Sequence, residues 1–213
     1  MNSKARFILE NTSIFSPPHV PEVRLHLADE AHDLWHKTEE ELDQSGLPPP
    51  FWAFAWAGGQ GLARFVLDNP GTVRGKRVID FASGSGLVGI AAIMAGASEA
   101  TCADIDPYAF EAAQLNASLN NMSVSPVCRN LIGGMPEADV ILAGDVFYDR
   151  QFAAELTPWF EALAARGVDI VVGDPGRAYL PKQRLEQLAV YEVPVTRALE
   201  DADVKRTHVW RFR

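Results

Sequence analysis

"KRVIDFASGSGLVGI", residues 76–90, runs from a β-rich segment through a turn of small residues into an apolar helix start. A strand closing on an acid, a glycine turn and then a helix form the opening unit of a doubly wound parallel sheet. The stretch contains Gly84-Ser-Gly86-Leu-Val-Gly89, the G-x-G-x-x-G spelling of a dinucleotide site. In such a site the first glycine follows the strand almost at once, so that backbone N–H groups and the helix N-terminus meet a pyrophosphate. Here Phe81-Ala82-Ser83 intervene between Asp80 and Gly84. That length suits another adenosine-bearing ligand.

S-adenosylmethionine carries no phosphate, and its methionine end has an ammonium that favours a nearby carboxylate. Asp80 supplies that charge, and Ala82, Gly84 and Gly86 let the backbone lie close under the ligand. Taken alone, the string also admits a dinucleotide site or a purely structural glycine turn. Asp104 closes the next β-rich run, 20 residues after Gly84, where an acid accepts ribose hydroxyls; nicotinamide enzymes use an acid in the same way. Ile105 follows it, and Asp106 reads as a helix N-cap. Asn130, after the third run, is read either as an adenine-edge contact or as a turn residue.

Outward from this unit, β-rich and helical runs alternate. "EATCADI", "VSPVCRN", "ADVILAGDV" and "VDIVVGD" read as further strands, with helices at "DPYAFEAAQLNASLNN" and "QFAAELTPWFEALAARG" between them. The tail reads as a short helix near "PKQRLEQL" followed by an antiparallel pair, "AVYEVPVTRAL" and "KRTHVWRFR", with Pro194 at an edge or bulge. Residues 1–50 are less regular: "ADEAHDLWHKTEEELDQSG" predicts a helix, and a proline run then leads into "FWAFAWAGGQGLARFVLDNP", an aromatic stretch and another helix.

The fourth strand ends in Gly144, Asp145, Val146, Phe147 and Tyr148, at the carboxyl edge where open α/β sheets bind ligands. D-x-x-Y alone is common. Beside D-x-x-x-G-x-G on the first strand and an acid on the second, it becomes specific.

Composition narrows the partners. With 28 Asp and Glu against 19 Lys and Arg, the formal net charge is −9, and no basic cluster is present for phosphates. Nucleic acid is therefore not expected as a partner, whereas a basic protein surface suits the charge. No run of 18 apolar residues exists, and no charged segment precedes an apolar core, so neither a membrane span nor a secretory signal is expected. The start, "MNSKARFILENTS", has only a faint transit-peptide character. Cys102 and Cys128 lie in apolar strand-like runs and read as small buried hydrophobes in a reducing compartment. No metal is expected, since His32 and His36 lack a third partner.

Together, "ENTSIFSPPHVPEVRLHL", the "FWAFAWAGGQ" stretch leading to "VIDFASGSG", "ADIDPYAFEAAQLN", "GDVFYD" and "VGDPGR" give the chain a resemblance to the family 16 seven-β-strand protein methyltransferases, in particular to those that act on lysines of the electron transfer flavoprotein β-subunit. The resemblance implies an α/β, Rossmann-like, seven-stranded class I fold. Residues 1–50 would be an N-terminal helical extension of the same domain, and 51–213 the catalytic part. It implies S-adenosylmethionine as cofactor and that flavoprotein subunit as protein substrate. Apart from the resemblance, an acidic monomer is expected, and the faint transit-peptide character of the start fits a bacterial form in the cytoplasm. Asp145 and Tyr148 match the catalytic D-x-x-Y motif, while Trp56, Gly58, Gly59 and Gln60 match a segment bordering the cofactor, as Gly144 and Asp145 do.

For the chemistry, the lysine amine must be neutral when it attacks, against an ordinary pKa of about 10.4. Asp145 is placed to accept a hydrogen bond from it, with Tyr148, Phe147, Trp52 and Trp56 as walls; Trp52 reads equally as a core anchor. Asp174 is read as bordering the substrate path or as a turn residue, and Arg177 as pairing with a surface acid. Glu39, Glu40 and Glu41 read as an aid to docking a basic target or as a solvated face. The alternatives are methylation of a ribosomal or translation protein, an NAD(P)-linked oxidoreductase, and a binding module without turnover.

Overall fold

The computed structural model describes residues 2–28, 49–197 and 201–213. The expected helix at 28–46, with His32, His36 and Glu39 to Glu41, lies outside them except for Ala28. Seven strands form one sheet: β3 Arg77–Phe81, β4 Glu99–Asp104, β5 Ser125–Cys128, β6 Val140–Gly144, β7 Asp169–Asp174, β8 Leu185–Pro194 and β9 Val204–Phe212. Their order is β5-β4-β3-β6-β7-β9-β8, parallel through β7, with β9 antiparallel to both neighbours. Chain order reverses between β3 and β6, and at such a switch point the loops beyond the strand ends diverge and leave a crevice.

The central strands are apolar on both faces because both are covered. Val78, Val140, Leu142 and Val171 pack on one side beneath Leu62, Phe65 and Val66 of helix α2 (Ala57–Asp68) and Val88 and Ile90 of helix α3 (Leu87–Met94). Ile79, Phe81, Ile141 and Ile170, one residue out of phase, pack on the other beneath Leu156, Trp159, Phe160 and Leu163 of helix α5 (Arg150–Ala164). Helix α4 (Pro107–Leu119) has Pro107 in its first turn, and the Asp106 carboxylate accepts the Tyr108 N–H, the N-cap expected.

The N-terminal segment has more structure than its composition suggests. Helix α1 (Ser3–Glu10), capped by Asn2, buries Ile8 and sets Phe7 edge-on to Tyr108 at 5.4 Å. Strands β1 (Ser13–Phe15) and β2 (Leu25–Leu27) pair antiparallel. Two buried amides, Asn116 of α4 and Asn120 at its C-cap, stitch this segment down: Asn116 Oδ1 accepts from His26 N at 2.7 Å, and Asn120 bridges both backbone groups of Arg24. An isolated short pair of strands is marginal, so this one depends on its dock.

At the tail, the expected short helix is a single 3-10 turn, Lys182–Arg184, and Leu185 already pairs with Phe212. Ladder bonds to β9 override the helical propensity of "LEQL". Pro194 is the last residue of the edge strand, and the bulge falls at Gln187/Ala189 instead. Cys102 is buried, whereas Cys128 is exposed at the end of the outermost parallel strand, contrary to expectation. Among the described residues, no helix is long and apolar enough to cross a membrane, and no three His, Cys, Asp or Glu side chains gather as a metal site.

Candidate active site

A crevice of about 960 Å³ opens at the carboxyl ends of β3, β4 and β6. That is the upper end of the usual small-molecule range, enough for a nucleoside ligand with a substrate side chain beside it.

Its floor is the turn after β3. Ala82, Gly84 and Gly86 all have positive φ (53°, 49° and 78°), so the chain coils tightly under the cavity. Ala82, Ser83 and Gly84 line it, and Ser83 Oγ is buried without a hydrogen-bond partner, so it is available to a polar ligand. Asp80 also lines the floor, and its Oδ2 accepts the Gly89 N–H at 2.8 Å. A protein carboxylate thus fills the anion position at the N-terminus of α3, where a dinucleotide would put its pyrophosphate. Burial pushes the Asp80 carboxyl well above the usual carboxylate range. A cation reaching it restores the charged form.

Only one glycine of the G-x-G-x-x-G string touches the cavity. A Cβ on Gly86 would lie 3.0 Å from Ala113, and one on Gly89 would lie 2.5 Å from Cys102 Sγ, so those two set helix packing. Gly86, expected at the cofactor, packs against α4 and does not line the crevice.

Asp104 Oδ2 accepts the Gly84 N–H at 2.9 Å, and its Oδ1 accepts those of Ile105 and Asp106 at 2.7 and 3.0 Å. An ionised carboxylate has about four acceptor positions, so capacity for a ribose hydroxyl persists. Ile105 and Asn130 line the same wall, and Asn130 Oδ1 also accepts the Ile132 N–H, so it serves as a turn residue as well. Burial lifts Asp106 to about 6.

The mouth is built at β6 and β7. Asp145 sits at φ 58° just past Gly144, its N–H bonded to the Gly173 carbonyl at 2.9 Å. Its Oδ2 accepts the Gly59 N–H at 3.0 Å, and its Oδ1 accepts Arg177 Nε and Nη2 at 3.0 and 2.6 Å. Arg177 thus pairs with Asp145, not with a surface acid. Tyr148 and Phe51, 53% and 50% exposed with ring centroids 5.9 Å apart, form the rim, and Trp56 lies between Phe51 and the Arg177 guanidinium. Burial also raises the Tyr148 hydroxyl above its ordinary pKa.

Gly58 and Gln60, like Gly86, do not line the crevice. A Cβ on Gly58 would stand 2.4 Å from the Gly173 carbonyl and 2.5 Å from Asp145 Oδ2, so Gly58 lets α2 touch the strand ends. Gln60 is buried, with Nε2 on the Ala55 carbonyl and Oε1 accepting from His19 N. Of W-x-G-G-Q, Trp56 and Gly59 reach the crevice. Phe147 is a core residue edge-on to Phe160, and Asp174 is buried, its Oδ1 accepting the Gly176 and Arg177 N–H groups. Trp52 is both things proposed for it, stacked on Tyr108 in the core and lining the crevice. Phe51, Ser83, Phe152 and Glu155 also line the crevice, although no sequence signal marked them; the first two are unspecified positions inside quoted motifs, and the last two lie on the first turns of α5.

Among the described residues, six acids (Asp80, Asp104, Asp106, Asp145, Asp149 and Glu155) line the crevice against two arginines, Arg129 and Arg177. Such a field repels a dinucleotide and favours cationic ligands. The seven-stranded sheet, the uncradled glycine turn and the acidic crevice define a class I methyltransferase that uses S-adenosylmethionine. The magnesium protoporphyrin IX methyltransferase of Synechocystis PCC 6803, solved with bound S-adenosylmethionine, superposes with a TM-score of 0.58 at 15% identity over 87% of this chain and all of that one. A ribosomal protein L11 methylase from Lactobacillus delbrueckii subsp. bulgaricus superposes at 0.54 and 18%, covering 75% of this chain and 80% of that one. The ribosomal protein L11 methyltransferase family model matches residues 65–146, from within α2 to just past β6. Beyond that class, the chain belongs to the electron transfer flavoprotein beta subunit lysine methyltransferase family. It is 40% identical to the Xenopus laevis member over 97% of this chain and 85% of that one, and 34% identical to the human member over 97% and 81%. It is a protein-lysine N-methyltransferase, and neither the oxidoreductase nor the ribosomal alternative is favoured.

Proposed function

We propose that this enzyme methylates lysines of the electron transfer flavoprotein β-subunit. The cofactor would lie across Asp80, Ser83, Gly84 and Asp104, with the target lysine entering between Phe51 and Tyr148. The observation that carries this reading is that Asp104 and Asp145, acids at the ends of two different strands, line one crevice with an aromatic mouth. When bound, S-adenosylmethionine supplies a sulfonium-activated methyl group. Asp145 accepts a hydrogen bond from the lysine amine and aims its lone pair inward, while Tyr148, Phe51 and Trp56 hold the aliphatic stem and exclude water. Orientation is the main contribution. The identity with relatives of that name, along nearly the whole chain, supports the substrate. Two free cysteines suit a reducing compartment such as the cytoplasm.

Incubating the purified enzyme with methyl-labelled S-adenosylmethionine and electron transfer flavoprotein tests the proposal. Label on lysines of the β-subunit is expected. Label only on another protein in a cell extract would overturn the substrate.

A further inference from the structure

We infer that Arg177 is a positioning residue that keeps Asp145 from holding the substrate lysine in its protonated form. The inference rests on Asp145 receiving the lysine amine, as proposed above.

The arm carrying Arg177 is preformed. After β7, Asp174 Oδ1 accepts the N–H groups of Gly176 and Arg177 at 2.6 and 2.7 Å, Pro175 fixes one backbone angle, and Gly176 turns at φ 96°. The guanidinium passes 5.8 Å from the Trp56 ring centroid and meets Asp145 with two nitrogens on Oδ1. The pair is largely shielded, with side-chain exposures of 22% and 11%, so solvent screens it weakly. On its far side, Asp145 Oδ2 is fixed by the Gly59 N–H. One carboxylate is thus aimed both from helix α2 and from the loop after β7.

A carboxylate without this partner would attract the incoming ammonium and raise its pKa, in opposition to the reaction. With a guanidinium already on Oδ1, the site offers a hydrogen-bond acceptor with little net charge, and the nearby cation lowers the lysine pKa. The lysine loses its proton to water. Its Nζ lone pair then forms the N–C bond as the C–S bond breaks and its electron pair returns to sulfur, leaving the thioether of S-adenosylhomocysteine. Arg177 supplies no proton and accepts none.

The test is the single-turnover rate as a function of pH, with the methylated protein being the electron transfer flavoprotein β-subunit or whichever band the label marks in its place. Arg177→Gln should move the midpoint of the rising limb up by about one pH unit and slow transfer about tenfold at neutral pH. Substrate affinity should not weaken. Arg177→Lys, which restores charge without the fork, should bring the midpoint back while the plateau rate stays low. Arg177→Met serves as the neutral variant if the glutamine form does not fold, and S-adenosylmethionine binding by calorimetry reports folding in each. A merely structural role would lower the rate at every pH, and an unmoved midpoint in the neutral variants overturns the inference. If Asp145→Asn transfers at the wild-type rate, the underlying reading of Asp145 fails instead.

Discussion

Asp80 and Asp145 belong to the ends of neighbouring parallel strands and line the same crevice, yet their surroundings are opposite. Asp80 is enclosed, takes one backbone N–H, and is pushed toward its neutral form by burial. Asp145 is gripped by a guanidinium and a backbone amide before any ligand arrives. The floor is therefore poised to gain charge when a cation reaches it, whereas the mouth is already balanced and acts by aim. A methyl donor that is cationic and an acceptor that must be neutral call for that asymmetry.

The largest effect should come from the mouth. Asp145→Asn is expected to lower methyl transfer about 100-fold or more, with S-adenosylmethionine binding by calorimetry nearly unchanged. Full activity in that variant would break the division between floor and mouth. Next comes the backbone seam behind Asp145: Gly58→Ala must push α2 off the Gly173 carbonyl, at a stability loss of about 1–3 kcal/mol seen as a lower melting temperature. Transfer should fall with it, because the added methyl also collides with Asp145. An unshifted melting curve would show that the seam gives way freely.

At the floor, Asp80→Asn keeps the acceptor for the Gly89 N–H and removes a buried charge. The ligand-free protein should melt at the same or a higher temperature at neutral pH, while affinity for S-adenosylmethionine drops about tenfold. Unchanged affinity would sharpen the picture by assigning the cofactor's cation to other acids. The smallest effect concerns Asp106, lifted by burial to about 6. Its folded form binds a proton more tightly than the unfolded chain, so its contribution to stability is greatest below about pH 4 and is lost as pH rises toward 6. In Asp106→Asn, which still caps α4, that part of the ligand-free stability profile should flatten in pH-dependent denaturation.

The parallel strands and their helices were legible in the chain because buried β-runs and capped helices leave local marks: "RVIDF", "VILAG" and "DIVVGD" are β-rich, mostly apolar runs, and Asp106-Pro107 announces α4. Gly84, Asp104 and Asp145 stood out for the same local reason, as residues fixed by a turn or a strand end. The substrate-facing identity came from motif resemblance, borne by most of the chain. By contrast, only the folded packing separated Gly84 from Gly86 and Gly89, or Gly59 from Gly58 and Gln60. Neighbours in one motif face different partners, and which face meets the crevice depends on how α2 and α3 seat against the sheet. The pairing of Arg177 with Asp145, 32 residues apart, had no trace in the sequence at all. Electrostatic partners are chosen by distance in space, and β6 and β7 bring those two loops together only once the sheet has formed.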